Sequence, residues 1–335
     1  MILIIGGTGL VGSHLILECY KKNLKLRVTY RNKEKLNNLK HHLKKNYLMK
    51  SCYLKSIDWV YANLNDIISL EDAVKGVDFV YHCAAKVSLA DYDEDELLKT
   101  NIEGTSNVVN ICLKHKIKKL LFLSSISSIS ADNNVKIINE SHSWDDNRNY
   151  TLYALSKNAS ELEVWRGSQE GLDVVVVNPG IILGSHFWER SSGTLIKRAA
   201  KGMLFYPTGN SAIVALEDVV KALVMLMESP VKNERFILIS QNLKYRELIE
   251  KIATGVKSKK PTFALSKSIL YLLYILDKTA YALGLKKSFL NRATIESLCS
   301  IQQFDGSKIE NVLNFTYQDI SSTFNKINQD FNTYF

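Results

Sequence analysis

Apolar residues fall in short runs at positions 2–5, 58–61, 77–82, 119–123 and 173–177, and positions 25–30 alternate apolar with polar. Each run has strand length, and most are too continuously apolar for a sheet with one wet face. Between them, residues 13–20, 33–45, 70–74, 93–115 and 153–170 carry apolar positions at helical spacing, with Gly76 stopping the third. Strand and helix therefore alternate, which predicts a parallel sheet covered on both faces by right-handed crossovers. Past residue 180 the alternation loosens. Residues 217–228 read as a helix, 235–239 as a strand returning to the sheet, and 245–335 as mostly helical. The expected architecture is a doubly wound α/β domain over residues 1–180, with 217–240 returning to it. A smaller, mostly helical lobe is expected from 181–216 and 241–335.

In such a sheet the ligand lies at the carboxyl ends of the strands. Those ends are Gly6-Gly7, Tyr30-Arg31, Cys83-Ala84-Ala85, Ser124-Ser125 and Asn178-Pro179-Gly180. The first of them opens the run Gly6-Gly7-Thr8-Gly9-Leu10-Val11-Gly12, with glycines spaced G-x-x-G-x-x-G between a strand and a helix. Glycine lets the backbone turn sharply and approach a ligand closely. The helix N-terminus behind it offers free N–H groups and partial positive charge to a pyrophosphate. Gly12 would let helix and strand pack closely. An ordinary glycine-rich turn has the same composition, but its place between a clear strand and a clear helix favours a dinucleotide cradle.

A second local signal is Tyr153-Ala154-Leu155-Ser156-Lys157. Positions i and i+4 share a helix face, and a lysine ammonium beside a phenol is expected to lower the tyrosine pKa. Such a tyrosine can exchange a proton with a substrate hydroxyl or carbonyl. Ser125, at a strand's carboxyl end, could hold the substrate oxygen; Ser124, Ser127 and Ser128 compete for that role, and each could equally serve its own turn.

Bulk properties narrow the class. The 335 residues are 46% hydrophobic, enough for a large core and against disorder. Five scattered cysteines (Cys19, Cys52, Cys83, Cys112, Cys299), never in a C-x-x-C pair, suit a reducing compartment and argue against structural zinc. The seven histidines have no metal-ligand spacing, so no metal is expected, and His41-His42 reads as a solvated pair. A strand begins at once, leaving no room for a signal peptide, so a cytoplasmic location is expected. The net charge of +9 is uneven: residues 21–55 hold twelve Lys or Arg against Glu34 alone. No nucleic-acid motif accompanies them, so they read as a solvated helix face, part of which could serve the cofactor. The apolar stretch 269–276 is too short to span a bilayer. It reads as a helix packed on the lobe, with peripheral membrane contact as the alternative.

With these motifs together, the chain resembles the extended short-chain dehydrogenase/reductases, that is, the NAD-dependent epimerase/dehydratase family. The similarity is greatest to its dihydroflavonol-reductase-like and 3β-hydroxysteroid-dehydrogenase-like branch. The resemblance covers roughly residues 1–240. It rests on the glycine run 6–12, Tyr81-His82-Cys83-Ala84-Ala85, residues 101–107, Phe122-Leu123-Ser124-Ser125, Tyr153 to Lys157, Asn178-Pro179-Gly180 and Leu216-Glu217-Asp218-Val219. The resemblance implies a Rossmann-type domain in which Tyr153 is the general acid/base and Lys157 holds the nicotinamide ribose and tunes the tyrosine. It also implies that Ser125 orients the substrate oxygen, that Ala84, Ala85 and Lys86 lie along the cofactor, and that Asn178-Pro179 borders the nicotinamide. Asn101 would support the active site.

Three positions depart from the family pattern. Asn63-Leu64 stands where Asp-Leu commonly touches the adenine, and Gly184-Ser185 replaces Gly-Pro after the sixth strand. The second strand ends Tyr30-Arg31-Asn32-Lys33, without the acid expected to bind a ribose 2′-OH. Arginine there can meet a 2′-phosphate, so NADP(H) is the expected cofactor and NAD(H) the alternative. The leading reading is an NAD(P)-dependent oxidoreductase interconverting an alcohol and a ketone or aldehyde. A nucleotide-sugar epimerase or dehydratase with retained NAD, and a non-catalytic dinucleotide-binding scaffold, are the alternatives. The partner is expected to be a small-molecule substrate, a hydrophobic one among the options, with a homodimer open as an assembly. His186, Phe187 and Trp188 could line its pocket or support the lobe.

Overall fold

A computed structural model describes the chain except for residues 88–93, 132–134, 146–147, 186, 190–191 and 286–289. Seven parallel strands make the main sheet: β1 (Ile2–Ile5), β2 (Leu26–Tyr30), β3 (Asp58–Tyr61), β4 (Phe79–His82), β5 (Lys119–Leu123), β7 (Val174–Pro179) and β11 (Glu234–Leu238). Strand β6 (Ile137–Ile138) lies outside it, paired with β14 (Gln303–Phe304). The spatial order is β11-β7-β5-β4-β1-β2-β3. The chain thus winds one way from β1 to β3 and the other way from β4 onward, which leaves a crevice between the carboxyl ends of β1 and β4.

Side chains alternate across each strand, and both faces of the central strands are dry, while the edge strand β3 stays partly exposed. In β1, Ile4 enters one core, with Leu15, Val28, Val219 and Leu223; Leu3 and Ile5 enter the other, with Leu70, Val108 and Val164. The first core lies under α1 (Leu10–Lys21), α2 (Lys33–Asn46), α3 (Ser51–Ser56) and α9 (Leu216–Glu228). The second lies under α4 (Ile67–Val74), α6 (Gly104–Lys114) and α7 (Leu152–Gln169). Residues 94–114 are helical throughout, as expected, but not uniformly α-helical. Helix α5 (Glu94–Leu98) and α6 are joined through a π-helical turn, Lys99–Glu103. Helix α4 starts three residues before position 70, because Asp66 caps it by accepting from Ser69 N.

The loosened region after residue 180 contains more strand than its pattern shows. Strands β8 (Ile181–Leu183), β10 (Asn210–Ala215) and β12 (Gln241–Lys244) form a second sheet, with β10 central. Helices α8 (Ser192–Ala200), α10 (Tyr245–Gly255) and α14 (Ile320–Tyr334) pack there around Trp188, Ile196, Ile252 and Phe331. A parallel ribbon of β9 (Phe205–Pro207) and β13 (Phe263–Leu265) leads into α11 (Lys267–Ala282) and α12 (Arg292–Cys299). Helix α13 (Lys308–Leu313) returns to the main sheet, where Ile309 is buried.

Candidate active site

Two residues of extended chain advance about 6.6 Å, and four residues of helix advance about 6 Å. Tyr153 and Lys157, one turn apart on α7, can therefore match Ser125 and Leu123, two residues apart at the end of β5. Lys157 Nζ donates to Leu123 O at 2.9 Å, and the Tyr153 phenol hydrogen-bonds the Ser125 hydroxyl. Thr151 fixes the start of α7 by accepting from Ala154 N at 3.2 Å. Ser125 is extended and opens the short turn Ile126–Ser128, its Oγ accepting from Ser127 N at 3.2 Å. Ser127 Oγ lies 3.2 Å from Ser125 Oγ, whereas Ser124 and Ser128 are committed elsewhere. Ser124 Oγ lies 3.3 Å from Ser128 Oγ, and Ser128 Oγ lies 2.7 Å from Ser125 O.

The electrostatics correct one expectation. Lys157 is aimed at a carbonyl, and its ammonium does not lower the Tyr153 pKa. Burial pushes the phenol above its ordinary value, and the Ser125 hydroxyl is what pulls it down. Burial also brings Lys157 down to about 8, opposed by the Glu161 carboxylate. The Lys157 Nζ lies 4.7 Å from the centre of the Phe122 ring, whose face favours the ammonium. His82, buried at the end of β4, is held near 3 by desolvation and by Lys157, so it stays neutral. Its Nε2 lies 3.1 Å from Thr105 Oγ1.

Glu161 is the residue that local sequence patterns do not reveal. It is buried one turn beyond Lys157, its Oε2 accepting from Arg235 Nη2 on β11 at 2.7 Å. Its Oε1 accepts from Ser128 Oγ and Asn178 Nδ2. Asn178 Nδ2 also reaches Ser125 O at 3.1 Å and Ser128 Oγ at 2.9 Å. The Asn178 side chain therefore turns inward to brace the Ser125 backbone, and Pro179 beside it is buried at the end of β7. A Glu at i+4 from Lys157 on a helical face was the available signal, but its burial depends on β7 and β11. Asn101, in the π-helical turn, accepts from Lys86 N at 2.8 Å and donates to Lys86 O and Ser156 Oγ at 2.9 and 3.0 Å. It clamps the chain after β4 to the helix that carries Tyr153.

The glycine run sits in the β1–β4 crevice. Gly6 has φ +89°, and a Cβ there would lie 2.7 Å from Ala84 N. A Cβ on Gly12 would lie 2.4 Å from Gly6 O. No side chain caps α1 and its first turn holds no acid, which leaves its N–H groups for an anion. Thr8 and Leu10 are partly buried, Gly9 is exposed, and Gly7 and Val11 are buried, so Val11 could offer only its backbone. Arg31 is exposed at the end of β2, with no partner among the described residues.

Other candidates are less available. Leu64 buries its side chain against Gly104, and its carbonyl accepts from Asn107 Nδ2 at 2.9 Å. Asn63 Oδ1 accepts from Asn65 N at 3.2 Å. The Lys86 ammonium pairs with Glu96 at 2.5 Å, and its backbone N–H and carbonyl are both bonded to Asn101. Ala84 lines the crevice and Ala85 is exposed. His42 is not solvated: it lies partly buried, its ring 5.3 Å from Tyr47 and 6.3 Å from Phe187. Trp188 supports the lobe core, its ring edge-on to Phe331 at 5.4 Å. His186 lies outside the described residues.

Comparison with known proteins matches residues 2–239 to the NAD dependent epimerase/dehydratase family. The chain belongs to that family. Among curated relatives it is 34% identical to tetraketide alpha-pyrone reductase 2 of Arabidopsis thaliana over 264 residues, 74% of this chain and 80% of that one. It is 25% identical to an anthocyanidin reductase of Vitis vinifera over 269 residues, 73% and 78% of the two chains. Among solved structures it superposes on a nucleoside-diphosphate-sugar epimerase from Pseudomonas aeruginosa with TM-score 0.78 and 21% identity, covering 99% and 97%. That last likeness speaks to the fold alone. As an epimerase/dehydratase-family protein the chain is an NAD(P)-dependent enzyme, and its glycine cradle, uncapped helix and buried lysine fit a dinucleotide.

Proposed function

We propose that the chain is an NADP(H)-dependent reductase that converts a ketone or aldehyde to the alcohol. The observation that carries this reading is the meeting of Ser125, Tyr153 and Lys157 at the end of β5. When bound, the reduced nicotinamide supplies the hydride. Residues 6–12 and the open N-terminus of α1 would hold the pyrophosphate, Arg31 the 2′-phosphate, and Lys157, with two N–H groups not used on Leu123, the ribose.

The chain's own groups then handle the substrate oxygen. Ser125 donates a hydrogen bond to the carbonyl oxygen. Tyr153 gives up its phenolic proton to that oxygen as the C–H bond forms, yielding the alcohol. A phenol pushed above its ordinary pKa stays protonated and suits the donor role. The relatives named as reductases support carbonyl reduction over epimerisation.

The test is NADPH oxidation with a panel of aromatic, polyketide-like and steroidal carbonyl compounds. The account expects turnover with at least one, and a loss of roughly a hundredfold or more in Tyr153→Phe. Cofactor that co-purifies and is never released would favour the epimerase reading. Unchanged turnover in Tyr153→Phe would remove the proposed acid.

A further inference from the structure

Helix α11 presents its apolar side to solvent. Ile269, Leu272, Leu273, Leu276 and Leu283 recur at i, i+3, i+4, i+7 and i+14 and so share one face. All are exposed, Leu272 by 59% and Leu276 by 56%. The flank beside this face packs on the lobe through Leu270 and the buried Asp277, whose carboxylate accepts from Leu290 N at 3.2 Å. Packing therefore uses the side that carries the acid and leaves the apolar stripe uncovered within the chain. A soluble helix normally does the reverse.

The sequence that leads into α11 is cationic, and the ribbon before it exposes apolar rings. Residues 255–285 contain five lysines (257, 259, 260, 267, 278) against Asp277 as the sole acid. Lys257, Lys259, Lys260 and Lys267 are exposed and have no ion-pair partner among the described residues. The ribbon entering α11 exposes Phe205 and Phe263, their rings 5.8 Å apart. No helix among the described residues is long and apolar enough to cross a membrane.

We propose that this face of α11 docks in the plane of a bilayer surface carrying anionic lipid. The apolar stripe enters the headgroup–acyl boundary, and Lys257, Lys259, Lys260 and Lys267 meet the anionic headgroups. Charge decides between occupants: a second copy would bring the same lysines against these, whereas an anionic surface complements them.

The test is flotation of the full-length protein with phosphatidylcholine vesicles, and with vesicles in which roughly a third of the lipid is phosphatidylglycerol. The expected result is flotation with the anionic vesicles, about tenfold weaker with the neutral ones, and weakened by salt. Leu272→Glu/Leu276→Glu is expected to abolish it, and Lys259→Glu/Lys260→Glu to weaken it about tenfold. Should the leucine variant unfold in a thermal melt, Leu272→Gln/Leu276→Gln replaces it. Equal flotation with both vesicle types, flotation unaffected by these substitutions, or no flotation of the wild type would overturn the proposal. In the last case, a dimer that dissociates in the leucine variant by sedimentation velocity would identify a second copy as the occupant.

Discussion

At the scale of the residue, the site is made by close approaches that few side chains permit. Gly6 and Gly12 leave room where β1 turns into α1, because a Cβ on either would strike backbone. Burial holds Lys157 below its usual pKa, at about 8, although the Glu161 carboxylate opposes the shift. Arg31 contrasts with it: exposed and without a partner among the described residues, it is available to a ligand. Arg31→Ala is therefore expected to weaken NADPH binding about tenfold or more while leaving NADH nearly unchanged, measured by titrating cofactor fluorescence. Equal losses for the two cofactors would sink the NADP assignment. The glycine and Tyr–Lys spacings were readable because each is a local pattern. The aim of Lys157 at Leu123 O was not, since it depends on how α7 docks on β5.

At the scale of the element, α7 is a three-tiered support. Tyr153 faces Ser125, Lys157 faces the end of β5, and Glu161 ties the helix to β7 and β11 through Asn178 and Arg235. A carboxylate near an ammonium favours the charged lysine, so removing it lowers the lysine pKa further. In Glu161→Gln, the alkaline limb of kcat/KM, expected near pH 8, should move to lower pH. The melting temperature should also fall, because a buried ion pair stripped of one member costs about 3–5 kcal/mol. A lower melting temperature with an unmoved alkaline limb would leave Glu161 a structural role only. This tier was hidden because Glu161 reads locally as one more helix-face acid. The π-helical turn that seats Asn101 was hidden likewise: residues 93–115 keep helical periodicity while the backbone slips within it.

At the scale of the whole molecule, legibility followed burial. Strands dry on both faces were visible as apolar runs, from β1 to the six buried residues of β7. The lobe's strands β8 and β9 are three residues long and owe their pairing to distant partners, so no run announced them. The two parts divide the labour: the seven-stranded sheet gathers the glycine loop, Ser125, Tyr153 and Lys157 on one edge, and the lobe carries the apolar face of α11. The central claim is that this edge passes a hydride outward to a carbonyl substrate and releases the oxidised cofactor. The direct measurement uses NADPH deuterated at its transferable position, with a carbonyl compound found to support turnover, followed by mass spectrometry of the product. One deuterium is expected on the carbinol carbon of the alcohol for each NADP⁺ released. A rearranged product without net cofactor oxidation would contradict it.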